Sequence, residues 1–178
     1  KLARSLACSV SILKLGNLDK SDEGSLRDSR LRLIALEIKK TNSQVLVQGH
    51  QADDIAESFL WRLSRGAGPE GLSSPSPCSK HGGVVFLRPF ISFSRKQIRQ
   101  SLQSHSIPWV EDETNLQSTF DRNYLRNQVV PEIAGRWPDY AQRIGHSAQL
   151  SKDNEDLAEA VAADDLQTLD IRIERGGW

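Results

Sequence analysis

The sequence predicts an α/β fold: a partial parallel sheet with its helices, followed by a segment that is helical only. Short apolar runs alternate with longer amphipathic ones through the first half of the chain, the pattern of strand–helix units in a parallel sheet. After Trp137-Pro138 the pattern is helical down to about Thr168. With 178 residues, 38% hydrophobic and 26% charged, the chain has the composition of a globular protein with room for one sizeable core.

Lys1 to Ser9 reads as the end of a helix, and "VSILKL" (Val10–Leu15) as a short strand. Gly16 to Gly24 is a polar connection. From Ser25 to about Lys40, Leu31, Ile34, Leu36 and Ile38 sit among basic residues, as in an amphipathic helix. "QVLV" (Gln44–Val47) reads as a buried strand and about Gln51 to Arg65 as a helix. Gly66 to Gly83 is rich in Gly, Ser and Pro, so a loop is expected. "VVFLRPF" (Val84–Phe90) resumes as a strand, and Ser94 is placed to cap a helix running to Ser104. "IPWVEDETN" is extended, with Asp112, Thr114 and Asn115 as a turn-building set. Thr119 or Asp121 caps "RNYLRNQVV", which is expected to end before Pro131. The last residues, "LDIRIERGGW", alternate like a strand.

Formal net charge is zero, which excludes a protein that holds nucleic acid by bulk charge alone. Arg88, Arg95, Lys96 and Arg99 nevertheless cluster in one segment, and Arg122, Arg126, Arg136 and Arg143 in the next. A local basic face competes here with ordinary solvated helix faces. No apolar run approaches the ~20 residues of a membrane span, and no signal-peptide order is present. Cys8 and Cys78 are far apart and read as reduced thiols. A cytoplasmic protein is expected. Methionine is absent altogether, so the chain is expected to be a fragment.

The densest chemistry lies at "GHQADDIAES". On a 100° wheel His50, Asp53, Asp54 and Glu57 share one arc, while Ala52, Ile55, Ala56, Phe59, Leu60 and Leu63 fill the other side. The cluster follows the carboxyl end of a strand, where open α/β sheets bind ligands. A helix dipole favours an acid in the first turn by ~0.3–1 kcal/mol, which accounts for one carboxylate but not for the group. Repulsion among them calls for a cation: a metal ion, an ammonium group or an arginine. One histidine is too few for the helical zinc signature. Magnesium held by one or two carboxylates and substrate phosphates fits better.

"GHQADDIAESFLWRLSRGAGPEGL", "LRPF", "IPWVEDETN", "FDRNYLRNQVVPEI" and "RWP" follow the order and spacing of the tRNA(Ile)-lysidine synthetase family, of the PP-loop ATP-pyrophosphatase group. The resemblance spans about Glu23 to Leu166. It implies a PP-loop domain of the adenine-nucleotide α-hydrolase type, incomplete here, over residues 1–136. The start of a helical domain follows over 137–168, with a truncated tail at 169–178. It also implies an ATP-dependent carbon–nitrogen ligase: ATP and magnesium adenylate C2 of the wobble cytidine in an isoleucine tRNA with a CAU anticodon, and free lysine attacks there. By resemblance Asp54, Glu57 and Arg122 are catalytic, with the carboxylates binding lysine's ammonium or taking its proton. His50, Asp53, Arg65, Gly66, Gly68 and Arg126 bind substrate or nucleotide, Asp53 through magnesium, and Arg88, Arg95, Lys96 and Arg99 contact tRNA phosphates.

Three departures qualify the resemblance. The Ser-Gly-Gly-x-Asp-Ser loop, whose N–H groups grip pyrophosphate, is not in these residues. Ile55 stands for the usual glutamine and Ser58 for the usual threonine. The methionine often found after "GLS" is missing. The expectation is a fragment that is inactive alone and self-associates, as a homodimer for example, through a bared sheet edge. Two rival readings are another PP-loop ATP-pyrophosphatase, acting on a different tRNA base or a small amide acceptor, and a non-catalytic RNA-binding remnant.

Overall fold

The computed structural model describes residues 6–14, 23–111 and 121–168. The expected Thr114–Asn115 turn and the terminal strand lie outside the described residues.

The helix α1 (Glu23–Thr41) closes in a left-handed residue, Asn42 at φ 50°. Asn42 N–H donates to Lys39 O and Ser43 N–H to Ile38 O, which satisfies the last carbonyls of the helix. Three short strands follow in one sheet: β1 (Val45–Val47), β2 (Cys78–His81) and β3 (Val84–Leu87), in the order β1-β3-β2. Val85 N–H donates to Gln44 O and Gln48 N–H to Leu87 O, each at 2.8 Å. These bonds advance in the same direction on both strands, so β1 and β3 are parallel. β2 and β3 form a hairpin through Gly82 and Gly83, both at positive φ. Glycine carries no Cβ penalty there, which is why the tight two-residue turn has glycine at both places.

The remaining helices are α2 (Ala52–Ser64), α3 (Pro69–Leu72), α4 (Arg95–Ser104), α5 (Asp121–Tyr124), α6 (Val130–Arg136) and α7 (Tyr140–Thr168), with a π-helical stretch at Leu125–Val129 between α5 and α6. The chain divides into two compact units, Lys1–Leu46 with Lys80–Phe86, and Val47–Ser79 with Leu87–Trp178. The core of the second unit joins Ala52 and Ala56 of α2 to Tyr140 and Ala141 of α7, with Val130, Ile133, Ala134 and Ile144 packed around them. Alanines at the crossing let the two backbones approach closely. No described helix is long and apolar enough to cross a membrane.

Several local expectations are corrected. Residues 10–14 form no strand, and Val10 and Ile12 are 64% and 80% exposed, because an apolar run becomes a strand only where a partner strand takes its N–H and C=O groups. β1 is expected to be buried, yet Val45 and Val47, which share one face of the strand, stand exposed. The Gly66–Gly83 region holds α3 and β2 as well as loop. Pro131 does not end its helix. It sits in the first turn of α6, where its missing N–H costs little. The wider π turn just before it, with Val130 N–H bonding Leu125 O, accommodates the proline ring without a break.

Candidate active site

The site is built on the first two turns of α2. Its entry is fixed from two sides: Ala52 N–H donates to Phe93 O at 2.9 Å, and Gln51 N–H donates to Asp54 Oδ2 at 3.1 Å. The second bond makes Asp54 part of the cap that ends the helix with its acidic end toward the unpaired amides.

Glu57 is 3% exposed, so the carboxylate expected at the surface is buried. Its charge is met by two arginines from distant parts of the chain. Arg126 donates from Nε to Oε1 at 2.8 Å and from Nη2 to Oε2 at 2.6 Å. Arg95 donates from Nη2 to Oε1 at 3.1 Å. Both guanidiniums also lie 3.7 Å from Asp54 Oδ1. A buried carboxylate stripped of water survives only with such charge-assisted bonds around it. Glu57 holds the Arg126 guanidinium firmly in its charged form and raises its pKa.

Asp53 is anchored at both oxygens. Arg95 N–H donates to Oδ2 at 2.6 Å, and the Tyr140 hydroxyl donates to Oδ1 at 3.0 Å. Burial and the neighbouring Asp53 charge push the Tyr140 phenol above its ordinary pKa, since a phenolate there would face a carboxylate. Asp54 is more accessible than Glu57. Burial raises its pKa above 3.8, the Gln51 N–H works against that, and the Glu57 charge adds to it. Asp54 and Glu57 thus share the Arg95 and Arg126 guanidiniums, while Asp53 is held by neutral donors, a backbone N–H and a hydroxyl.

One turn further along α2, Arg122 reaches Ser58, with its Nη2 against the hydroxyl. Trp61 donates its indole N–H to Asp121 Oδ2 at 3.3 Å, and Arg65 lies over the Trp61 ring at 4.9 Å. The helix then closes at Gly66, φ 75°, with Gly66 N–H on Leu63 O and Ala67 N–H on Arg62 O. That paired closure is a helix cap. Gly68 and Pro69 begin α3 directly afterwards.

The sequence-predicted residues therefore separate. Asp53, Asp54, Glu57 and Arg126 form one cluster, with Arg122 a turn away at Ser58. His50 is exposed beyond β1. The four basic residues expected at tRNA phosphates do not line up as one strip. Arg95 belongs to the carboxylate cluster. Arg88 folds inward to Ser76 O at 2.8 Å and Ser79 Oγ at 3.1 Å, and burial lowers its pKa. Arg99 is exposed and grips Glu111 with one nitrogen at 2.6 and 2.8 Å, and Lys96 is exposed on the same helix. Tyr140 and the inward turn of Arg95 were not legible in the sequence. Their partners lie 87 and 38 positions away, and no local pattern signals either.

No group of three or more His, Cys, Asp or Glu side chains placed to share a metal ion occurs among the described residues. Each Asp53 oxygen accepts one hydrogen bond and keeps a second lone pair.

The PP-loop domain family matches residues 2–133. The chain is 37% identical over 157 residues to a tRNA(Ile)-lysidine synthase of Vibrio parahaemolyticus, covering 88% of this chain and 35% of that protein. A tRNA(Ile)-lysidine synthase of Pectobacterium atrosepticum is 35% identical over 147 residues, 83% of this chain and 33% of its own length. One of Shigella flexneri is 40% identical over 123 residues, 69% and 28%. The chain spans about a third of the length of the curated relatives it matches.

Proposed function

This chain belongs to the PP-loop domain family, and from that premise we propose that it carries the acceptor half of a tRNA(Ile)-lysidine synthase site. The whole reaction is the ATP-dependent joining of free lysine to C2 of the wobble cytidine in an isoleucine tRNA, in the cytoplasm. One observation carries the reading: Asp54 and Glu57 share the Arg95 and Arg126 guanidiniums, while a third carboxylate, Asp53, is held by neutral donors and adds negative charge beside Asp54. An ammonium group is the cation that fits it.

In this reading Asp54 receives the lysine ammonium and takes a proton from the attacking amine, for which a raised carboxylate pKa is an advantage. Glu57 acts through the arginines, fixing Arg126 and Arg95. Arg122, half-buried at Ser58, fits an anionic group such as a phosphate or the oxygen that gathers charge during adenylation. ATP supplies the leaving group, and its phosphate-gripping loop is not among these residues. Magnesium enters this reading as the counter-ion of the ATP phosphates, with no residue of this chain assigned to it. His50 and the Arg65–Gly68 turn border the nucleotide and RNA. Lys96 and Arg99 are the exposed cations left for tRNA phosphates. The exposed edge at Val45 and Val47 is the surface for self-association, which sedimentation across a concentration series tests.

The activity test joins the loop-bearing segment of a relative ahead of Lys1 and measures labelled lysine in a tRNA transcript with a CAU anticodon. Transfer by the joined chain, abolished by Asp54→Asn with tRNA binding kept, is the expected result. No transfer by the joined chain sinks the assignment. Unchanged transfer in Asp54→Asn removes the role given to that residue alone.

A further inference from the structure

Beyond the carboxylate cluster, α2, α3 and α7 enclose an open cleft of about 590 Å³, lined among others by Trp61, Arg65, Glu70, Ser73 and Glu155. The cluster described above uses none of these side chains. Trp61 donates its indole N–H to Asp121 Oδ2 at 3.3 Å, and the Arg65 guanidinium carbon lies over the ring, 4.9 Å from its centroid. Arg62 braces the far wall by donating from Nη1 to Gly71 O at 3.0 Å and to Ser73 O at 3.3 Å. Arg65 itself is exposed.

The chemistry of the lining narrows the ligand. An indole with a guanidinium over it is a platform for a flat π system. Two carboxylates at the rim, Glu70 and Glu155, disfavour a bare phosphate and offer acceptors to N–H donors. Lys152 donates to one oxygen of Glu155 at 3.1 Å, which leaves the other oxygen to accept. A flat ring with amino hydrogens on its edge meets both demands. Cytosine presents an N4 amine to a carboxylate, whereas uracil presents only an acceptor at that place.

We propose that this cleft receives an unpaired RNA base bearing an exocyclic amine, stacked on Trp61 and Arg65 with its amine toward Glu70 or Glu155. The inference rests on the reading that the chain acts on tRNA, and it adds a second base contact one helical turn from Ser58 and Arg122. Single-stranded loops, whose bases can be splayed onto aromatic rings, are the usual targets of such platforms.

The test titrates the full chain with fluorescently labelled oligocytidylate and oligouridylate and with an isoleucine tRNA transcript, reading anisotropy. Oligocytidylate is expected to bind more tightly than oligouridylate. Trp61→Ala is expected to weaken oligocytidylate by about 5-fold or more, the range of one lost base stack, and Trp61→Phe far less. Arg65→Ala, at an exposed position, keeps the experiment decisive should Trp61→Ala misfold, and is expected to weaken binding as well. The double variant Glu70→Gln, Glu155→Gln should erase the cytosine preference. If the chain binds tRNA but Arg65→Ala and Trp61→Phe/Ala all match the wild type, or if the two homopolymers bind alike, the cleft assignment is overturned while the tRNA reading stands. If wild type binds neither homopolymer nor tRNA, both fall together.

Discussion

Glu57 and Arg126 are 69 positions apart in sequence, yet two hydrogen bonds of 2.8 and 2.6 Å join them inside the second unit. The pair turns a helix face that looks solvent-facing by its residue types into a buried ionic anchor. It also leaves Asp54 more accessible than Glu57, at 28% against 3% side-chain exposure.

Removing the anchor should be costly. Glu57→Ala leaves Arg95 and Arg126 partly buried without their main partner, a change worth about 3 kcal/mol. Denaturant melts should show a lower midpoint with little change in slope. Glu57→Gln, which keeps the shape and loses the charge, should fall between. A Glu57→Ala midpoint equal to wild type would show that the arginines find equivalent partners.

Asp54 should behave in the opposite way. Its pKa is raised by burial, so the folded state favours its neutral form. That stabilisation is complete below the ordinary 3.8 and is lost as pH rises through the folded value, leaving the ionised group a net cost at neutral pH. Asp54→Asn removes the cost while the amide oxygen can still accept from Gln51. Neutral-pH stability should therefore hold or rise, and the advantage over wild type should vanish in strong acid. A function-bearing residue that destabilises its own fold gives this signature. A large neutral-pH loss in Asp54→Asn would refute it.

Tyr140 predicts an alkaline limb. Its phenol is held above the ordinary 10.0 by burial and by Asp53. The corresponding stabilisation is complete below pH 10.0 and is lost as pH climbs toward the folded value. Tyr140→Phe should cost about 1.5 kcal/mol at neutral pH, the value of a hydrogen bond to a charged acceptor. It should also lose stability less steeply than wild type above pH 10.0. Parallel curves for the two proteins would remove Tyr140 from the account.

Two packing variants test the frame. Ala56 is 0% exposed at the meeting of α2 and α7, so Ala56→Leu should overpack the crossing and destabilise by about 1–3 kcal/mol. Gly66→Ala places a Cβ on a residue at φ 75°, with no clash in space around it. The cost there is conformational only, about 1 kcal/mol. Equal thermal midpoints for Gly66→Ala and wild type would mean that the cap relaxes.

Local features were legible because their causes are local. Ser94 accepts from Gln97 N–H and Gln97 answers through Ser94 N–H, a capping box confined to four consecutive residues. The acidic arc of α2 follows from helical period alone, and Gly66 from the left-handed cap. The sequence by itself determined the α/β class, and the helical period that puts Asp53, Asp54 and Glu57 on one arc of α2. Tertiary structure alone decided which charge meets which: Arg95 turned inward, Tyr140 locked Asp53, and Arg122 settled at Ser58. It also left residues 10–14 without a strand and carried a helix past Pro131. The reason is common to all of these: partners for a buried charge, a strand edge or a wide helical turn come from chain tens of residues away, and no window of sequence holds both halves.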